Sequence, residues 1–170
     1  MTSPNIKGRL SNMSAAKFTP YIQICSLEAA READLEGFDG VITIEDSQAQ
    51  NPFRISGANP TQCILRFDDI AVSSDEWITP GETHVRAALN FARGWASPSL
   101  LIHCHAGMSR SPAIALAILS DSKGLGFEDD AVNELISISR LCIPNKLVIE
   151  IADQILERSG RLISAWERNE

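Results

Sequence analysis

The chain has 170 residues, of which 44% are hydrophobic and 22% charged, and its formal net charge is −7. A chain of this length and composition is expected to form one globular domain, and its negative charge disfavours nucleic acid and acidic membranes as general partners. No apolar run approaches the roughly 20 residues of a membrane span, and the 4 cysteines show no C-x-x-C spacing. We therefore expect no membrane partner, no metal and no disulfide framework, with a reducing cytoplasm as the default location.

The N-terminal segment is polar, basic and free of acidic residues. We expect residues 1–18 to be a disordered leader and residues 19–170 to be a single domain. Alternating hydrophobicity predicts a strand at residues 21–25, and residues 27–35 favour a helix.

Two further strands are predicted before the middle of the chain. Residues 41–44 are β-branched and form the first, a loop with two Asn-Pro pairs follows, and residues 62–67 form the second. This last strand runs directly into Asp68 and Asp69. Because α/β sheets bind their ligands at the carboxyl ends of strands, we expect both acids at the ligand-binding edge.

The next predicted element is a helix that carries no chemistry. The sequence Thr79-Pro80-Gly81-Glu82 matches a capping box with proline at the first helical position. His84, near the start of this helix, is interpreted as a surface residue. Apolar residues behind it recur at helical spacing and are predicted to face the core: Val85, Ala88, Leu89, Ala92 and Trp95.

The most informative segment is the one that follows. An apolar run at residues 99–102 predicts a strand buried on both faces, and residues 110–120 predict a buried helix. The chain must reverse between them, so that successive backbone N–H groups converge at a helix N-terminus and favour an anion. Gly107 allows the positive φ or the close approach that such a loop needs.

The side chains of this loop suit nucleophilic attack on a phosphoester. Cys104 faces the N–H groups and the helix N-terminus, and both favour the thiolate over the thiol. Arg110 offers a planar fork that binds two oxygens of a tetrahedral anion. Ser111 can donate its hydroxyl hydrogen to the sulfur and ease the departure of the sulfur in a second step. The pattern predicts phosphoryl transfer through a covalent cysteine intermediate.

A second pair with the same spacing serves as a control. Cys25 and Arg31 are also six positions apart, but the residues between them favour a helix, lack glycine and include Glu28, which would repel phosphate. We interpret that pair as a coincidence.

The sequence His103-Cys104-x-x-Gly107-x-x-Arg110-Ser111 matches the signature of the cysteine-dependent protein tyrosine phosphatase superfamily. Because the chain is short and the loop lies past its middle, it most resembles the compact dual-specificity branch, particularly the small bacterial-type members. The resemblance implies an α/β fold with a mostly parallel central sheet flanked by helices. It also implies which residues bind the substrate phosphate, namely His105, Ala106, Gly107, Met108, Ser109 and Arg110.

The same resemblance implies a general acid. In the resembled family an apolar strand is followed by one residue and then by an aspartate that protonates the leaving group. Asp69 matches that position and is the expected acid, with Asp68 as the alternative. His103 is expected to orient the cysteine backbone rather than to act as a base.

The C-terminal part is predicted to be helical. Residues 140–145 resemble the Arg…Pro-Asn segment before the last helix of the dual-specificity branch, where the asparagine braces the signature loop. Asn145 also suits a helix N-cap, and one residue can do both. We interpret Gly160 as the residue that ends the following helix, and residues 161–170 as a tail. The buried stripe of that helix is expected to be Val148, Ile151, Ala152 and Ile155.

Three classes of function remain open at this stage. The favoured one is a phosphoester hydrolase, with tyrosine or dual specificity for phosphorylated proteins, that works as a monomer without cofactor or metal. A phosphatase of phosphoinositides or other small phosphoesters is its alternative, although His105 and Met108 stand where lipid-acting members carry lysine. A phosphate-binding module without turnover and a rhodanese-like sulfurtransferase are the other classes. Cys25 or Cys63 could trap an oxidised Cys104 as a disulfide.

Overall fold

The computed structural model describes residues 18–170. The expected leader therefore lies outside the described residues, apart from Phe18, which packs against the hydrophobic core. The elements in chain order are β1 (Tyr21–Ser26), α1 (Leu27–Glu32), β2 (Gly40–Glu45), β3 (Thr61–Arg66), α2 (Glu82–Ala92), β4 (Ser99–Cys104), α3 (Arg110–Lys123), α4 (Glu128–Ile138), α5 (Lys146–Ile155) and α6 (Arg161–Glu167).

The sheet has four strands in the order β1-β4-β2-β3, and all of its pairs are parallel. β4 lies between β1 and β2, so that Ile102 pairs with Ile24 on one side and with Ile42 on the other. Since the strands run in one direction, their carboxyl ends meet at a single edge, which is where such sheets bind ligands. The predicted α/β fold with a parallel central sheet is confirmed.

One face of the sheet is covered by the helices around α3. Every residue from Ala113 to Leu119 is at most 1% exposed, because α3 contacts α2, α4 and α5 as well as β4. This enclosure explains why the helix is apolar on all sides. Burial of each large aliphatic side chain there contributes about 1.5–3 kcal/mol relative to exposure.

The opposite face is covered by α1 and by the irregular segment between β2 and β3. The Phe53 ring in that segment meets the His103 ring edge-on, with 5.1 Å between centroids. Arg54, from the same segment, and Arg66 each form an ion pair with Glu45 at 2.8 Å. The segment thus packs over the strand that leads into the cysteine loop. Among residues 18–170, no helix is long and apolar enough to cross a membrane.

The start of α2 differs from the prediction. Its N-cap is Gly81 rather than Thr79, and the Gly81 N–H donates to Nδ1 of His84 at 3.0 Å. The His84 ring also packs against Phe67, with 4.9 Å between centroids, and burial lowers the pKa of His84 below its ordinary value. His84 is therefore a half-buried capping residue, and its interpretation as a surface residue was wrong.

The predicted end of the helix before the C-terminal tail was also wrong. The preceding helix ends at Ile155, and Gly160, at φ +84, is instead the N-cap of α6. Asp153 of α5 accepts hydrogen bonds from the N–H groups of Gly160 at 2.7 Å and Leu162 at 2.9 Å. With Leu162, Ala165 and Trp166 buried, the tail completes the core.

Candidate active site

The loop after β4 curls around the cysteine sulfur. The Gly107 N–H donates to Cys104 Sγ at 3.2 Å. Gly107 has φ +73, and a Cβ at this position would lie 2.7 Å from the carbonyl carbon of Cys25. Both its conformation and its closeness to β1 therefore demand glycine, as the sequence predicted. Cys104 is only 2% exposed, and a cavity of about 30 Å³, lined in part by Asp46 and His105, reaches it.

The carbonyl groups of the loop face outward. Three of them accept an N–H group of a neighbouring segment: His105 O accepts Leu27 N at 3.0 Å, Met108 O accepts Ile143 N at 2.8 Å, and Ser109 O accepts Asn145 N at 3.1 Å. The N–H groups of Ala106 and Met108, by contrast, have no partner in the part of the chain that the structure describes. A loop with outward carbonyls and unpaired N–H groups is an anion-binding concavity.

Arg110 is fixed beside this concavity. Its Nη1 donates to Asp46 Oδ1 at 2.6 Å and to the Phe67 carbonyl at 2.9 Å, and the residue is 4% exposed. Its Nε is buried and has no acceptor among residues 18–170. Leaving a buried guanidinium N–H without an acceptor costs folding free energy. A negatively charged oxygen of a bound phosphoryl group could accept this N–H.

Ser111 follows directly in the chain. Its hydroxyl is fully buried and has no hydrogen-bond partner within the described residues. The predicted hydrogen bond to the Cys104 sulfur is not formed here, so the role of Ser111 in the second step stays a prediction. Buried hydroxyl groups without a hydrogen-bond partner are rare in folded proteins, so the unpaired Ser111 hydroxyl calls for an explanation.

His103 is a buried link between β4 and β2. Its Nε2 lies 2.8 Å from Thr43 Oγ1, and that hydroxyl also accepts a hydrogen bond from Gln62 at 2.9 Å. Burial lowers the pKa of His103 to about 4, against the smaller opposing effect of the Cys104 backbone. The ring is therefore neutral near pH 7 and ties the strand that carries Cys104 to its neighbour.

The two candidate acids have very different surroundings. Asp68 is 6% exposed, and its two carboxylate oxygens accept the N–H groups of Ser47 at 3.0 Å and Ile78 at 2.8 Å. Burial would raise the pKa of Asp68, but these hydrogen bonds and the charge of Arg110 outweigh burial and lower it. Asp68 thus anchors two loops as a carboxylate.

Asp69 is exposed and reaches the cysteine loop. Its Oδ1 accepts hydrogen bonds from Ser109 Oγ at 2.7 Å and from Asn145 Nδ2 at 2.9 Å. Its Oδ2 has no partner among the residues described. One oxygen of Asp69 is therefore attached to the loop while the other stays available to a ligand.

Asn145 occupies both of the positions that the sequence suggested. Its Oδ1 accepts the Val148 N–H at 3.1 Å, which caps α5, and its backbone N–H donates to the Ser109 carbonyl of the cysteine loop. Its Nδ2 donates to Asp69 and to the Ile70 carbonyl at 3.0 Å. One side chain thus connects a helix, the cysteine loop and the acidic loop.

Sequence reasoning missed two contacts of the site. Asp46, the partner of Arg110, follows β2 and so ends on the same sheet edge as Asp68 and Asp69; the argument applied to those acids would have included it. The side chain of Ser109 was also missed, since only its backbone was considered. Neither contact has a local signature, because each joins distant parts of the chain.

The other cysteines are less favourable as nucleophiles. Burial raises the pKa of Cys25 and of Cys63 to about 11, and the neighbouring Cys104 adds to the effect at Cys25. All four cysteines are free in the structure. The predicted disulfide trap for Cys104 therefore stays a prediction.

No family model matches the sequence, and no curated protein is significantly similar to it. Several solved structures share its architecture. DUSP15 superposes with a TM-score of 0.57 at 22% identity, covering 89% of this chain and 94% of its own. Tk-PTP in its active form gives 0.56 at 17% identity, with coverage of 84% and 95%. The chain has the dual-specificity phosphatase fold.

A third solved structure with this phosphatase fold is a complex with a ligand, PI(5)P. PTPMT1 in complex with PI(5)P superposes with a TM-score of 0.55 at 17% identity, covering 82% of this chain and 94% of its own. The expected likeness to the compact dual-specificity branch is thus confirmed for the architecture. At these identities the residues of the site must be judged on their own geometry.

Proposed function

We propose that this protein is a cysteine-dependent phosphatase that hydrolyses phosphorylated proteins, with tyrosine or dual specificity, through a cysteinyl-phosphate intermediate. The observation that carries the proposal is the loop itself. The Cys104 sulfur accepts the Gly107 N–H at 3.2 Å, and Arg110, at the end of the same loop, has a buried N–H with no acceptor among residues 18–170. The 4 free cysteines support a reducing, cytoplasmic location.

In the first step the Cys104 thiolate attacks phosphorus in line with the leaving oxygen. Arg110 and the unpaired N–H groups of the loop bind the equatorial oxygens, whose charge they stabilise through the transition state. As the phosphorus–sulfur bond forms, the phosphorus–oxygen bond breaks and Asp69 protonates the departing oxygen. The products are the free alcohol or phenol and phosphorylated Cys104.

In the second step water hydrolyses this intermediate. Asp69, now a carboxylate, accepts a proton from the attacking water. The phosphorus–sulfur bond breaks and returns the electron pair to sulfur, toward which the Ser111 hydroxyl turns its hydrogen. Inorganic phosphate leaves and the thiolate is restored.

The choice of Asp69 as acid is supported by the surroundings of the two carboxylates. Both oxygens of Asp68 accept backbone N–H groups, and its pKa is lowered, so it holds a proton poorly. Asp69 is exposed, is attached to the cysteine loop and has one oxygen available.

Charges at the mouth of the site favour a phosphoprotein over a polyanionic substrate. An open cleft of about 450 Å³ lies beside the loop, and Asp46 and Asp69 line it together with Trp77. The carboxylates of Asp46 and of Asp68, which also lines the cleft, would repel additional phosphate groups on an inositol ring or a nucleotide. Phosphoinositides are the second candidate substrate, because PTPMT1, which has the same fold, was solved in complex with PI(5)P.

A substrate panel tests the proposal. Phosphotyrosine and phosphoserine peptides, phosphoinositides, nucleotides and p-nitrophenyl phosphate are assayed with the wild type and Cys104→Ser. We expect release of phosphate from phosphopeptides by the wild type and none by the variant. Sulfur transfer from thiosulfate to cyanide would instead support the rhodanese-like alternative. Binding of phosphopeptide without turnover would support the non-catalytic module, and turnover by Cys104→Ser would contradict the mechanism.

A further inference from the structure

Asp69 is held at one oxygen by two donors from different parts of the chain. Ser109 Oγ lies 2.7 Å and Asn145 Nδ2 lies 2.9 Å from Asp69 Oδ1. Ser109 and Asn145 are also bonded to each other, because the Asn145 backbone N–H donates to the Ser109 carbonyl at 3.1 Å. The three residues form a closed triangle at the rim of the cysteine loop.

The orientation of the Asn145 amide follows from its partners. Its Oδ1 must be the atom that accepts the Val148 N–H, so Nδ2 is the atom that faces Asp69. The second hydrogen of Nδ2 is used by the Ile70 carbonyl. Asn145 can thus only donate a hydrogen bond to Asp69. Because Asp69 Oδ1 already accepts two hydrogen bonds, it is a less favourable site for a proton than Asp69 Oδ2.

We propose that Ser109 is a positioning residue, whose hydroxyl, together with the Asn145 amide, fixes Asp69 by Oδ1 so that Oδ2 carries the proton to the leaving oxygen. This inference rests on the proposed phosphatase function. Ser109 precedes Arg110 directly, so the acid is attached to the same loop that binds the phosphoryl group. Its distance from the leaving oxygen is therefore set by the loop without closure of a lid.

The Ser109 hydroxyl is separable from the loop's own structure. The backbone of Ser109 is held through its carbonyl, which accepts N–H groups from Ala113 at 3.2 Å and from Asn145. The side chain is half-buried, and its hydroxyl donates a hydrogen bond to Asp69. Ser109→Ala therefore removes the hydroxyl and leaves the backbone contacts of the loop in place.

The dependence of the rate on the leaving group distinguishes positioning from folding. A proton donor matters most for a basic leaving group such as phenol, whose pKa is about 10 like that of tyrosine, and least for an acidic one. We measure kcat on phenyl, p-nitrophenyl and 2,4-dinitrophenyl phosphate for the wild type, Ser109→Ala, Ser109→Thr, Asp69→Asn and the double variant Ser109→Ala with Asp69→Asn. Ser137→Ala is the matched control, because its hydroxyl bonds the Glu134 carbonyl on α4.

We expect Ser109→Ala to lower kcat about 10-fold more on phenyl phosphate than on 2,4-dinitrophenyl phosphate. Ser109→Thr restores the wild-type ratio, and Ser137→Ala leaves it unchanged. In the Asp69→Asn variant, adding Ser109→Ala does not change the ratio of kcat between the substrates any further, since the acid that Ser109 positions is gone.

An equal loss on all three substrates, or an undiminished effect in the Asp69→Asn background, would overturn the role of Ser109. Neither result touches the proposed function, which fails only if the wild type lacks turnover or if Cys104→Ser retains it. The two failures are therefore distinguishable within one set of assays.

Discussion

Gly107 connects the chemistry of the loop to the backbone of the sheet. Its N–H contacts the sulfur, while its Cα faces the backbone of Cys25 and Ser26 on β1. A side chain there would meet main-chain atoms at 2.7–2.9 Å, which cannot move as a flexible side chain would. The residue is therefore fixed by sterics as well as by its positive φ.

Gly107→Ala should abolish turnover and destabilise the fold. A positive φ costs a residue with a side chain about 1–2 kcal/mol, and the clash with β1 adds to it. Gly37→Ala is the matched control, since Gly37 has φ +95 but no atom within 4 Å of the added carbon. Activity and urea unfolding are measured for both. Loss of activity in Gly37→Ala as well, or retention in Gly107→Ala, would contradict the account.

His103 makes stability depend on pH. Burial lowers its pKa from the ordinary 6.5 to about 4, so between these values the unfolded chain binds a proton that the folded chain does not. The free energy of unfolding is therefore unaffected by His103 above pH 7 and falls as the pH is lowered, by about 2 kcal/mol at pH 5.

His103→Gln should reduce this pH dependence, because its amide is uncharged throughout the range. The measurement is the change in the free energy of unfolding between pH 7.5 and pH 5 for the wild type and the variant. An equal change in both proteins would show that His103 does not contribute. The residual slope in the variant belongs to other groups such as His84, whose pKa is also lowered by burial.

At the scale of elements, most strands and helices were predictable from the periodicity of hydrophobic residues. The start of α2 and the presence of α6 were not. α2 begins one residue after Gly81, where the His84 ring takes the place of the expected acidic capping partner. α6 has only 7 residues, which is too short for a helix to be stable on its own. It forms because Asp153, on another helix, binds its first N–H groups, which no local pattern reveals.

Asp153→Ala should destabilise the protein by about 1–3 kcal/mol, since it leaves the buried N–H group of Leu162 and the half-buried N–H group of Gly160 without an acceptor. Asp129→Ala removes an exposed ion pair with Arg168 and should cost less than about 1 kcal/mol. Thermal unfolding of both variants measures the difference. The account of α6 is wrong if the two losses are equal, and kcat should be unchanged in both.

At the scale of the whole molecule, the sequence located the loop, and the resemblance pointed to Asp69 and Asn145, but neither predicted the contacts that these residues and Asp46 make. Cys104, Gly107 and Arg110 lie within one segment, so spacing and residue type were enough to predict their meeting. Asp46 lies 64 residues from Arg110, and Asp69 lies 76 from Asn145. Such pairs are created by the parallel sheet, which gathers the ends of β2, β3 and β4 at one edge, and they follow only from the three-dimensional fold.

The central claim is that phosphate passes through the sulfur of Cys104. Rapid acid quench during turnover, followed by mass spectrometry of the peptide that contains Cys104, tests it most directly. We expect one phosphoryl group on Cys104, and more of it in Ser111→Ala, where the sulfur departs more slowly. Turnover with no phosphorylated enzyme, or with the phosphoryl group on another residue, would contradict the account.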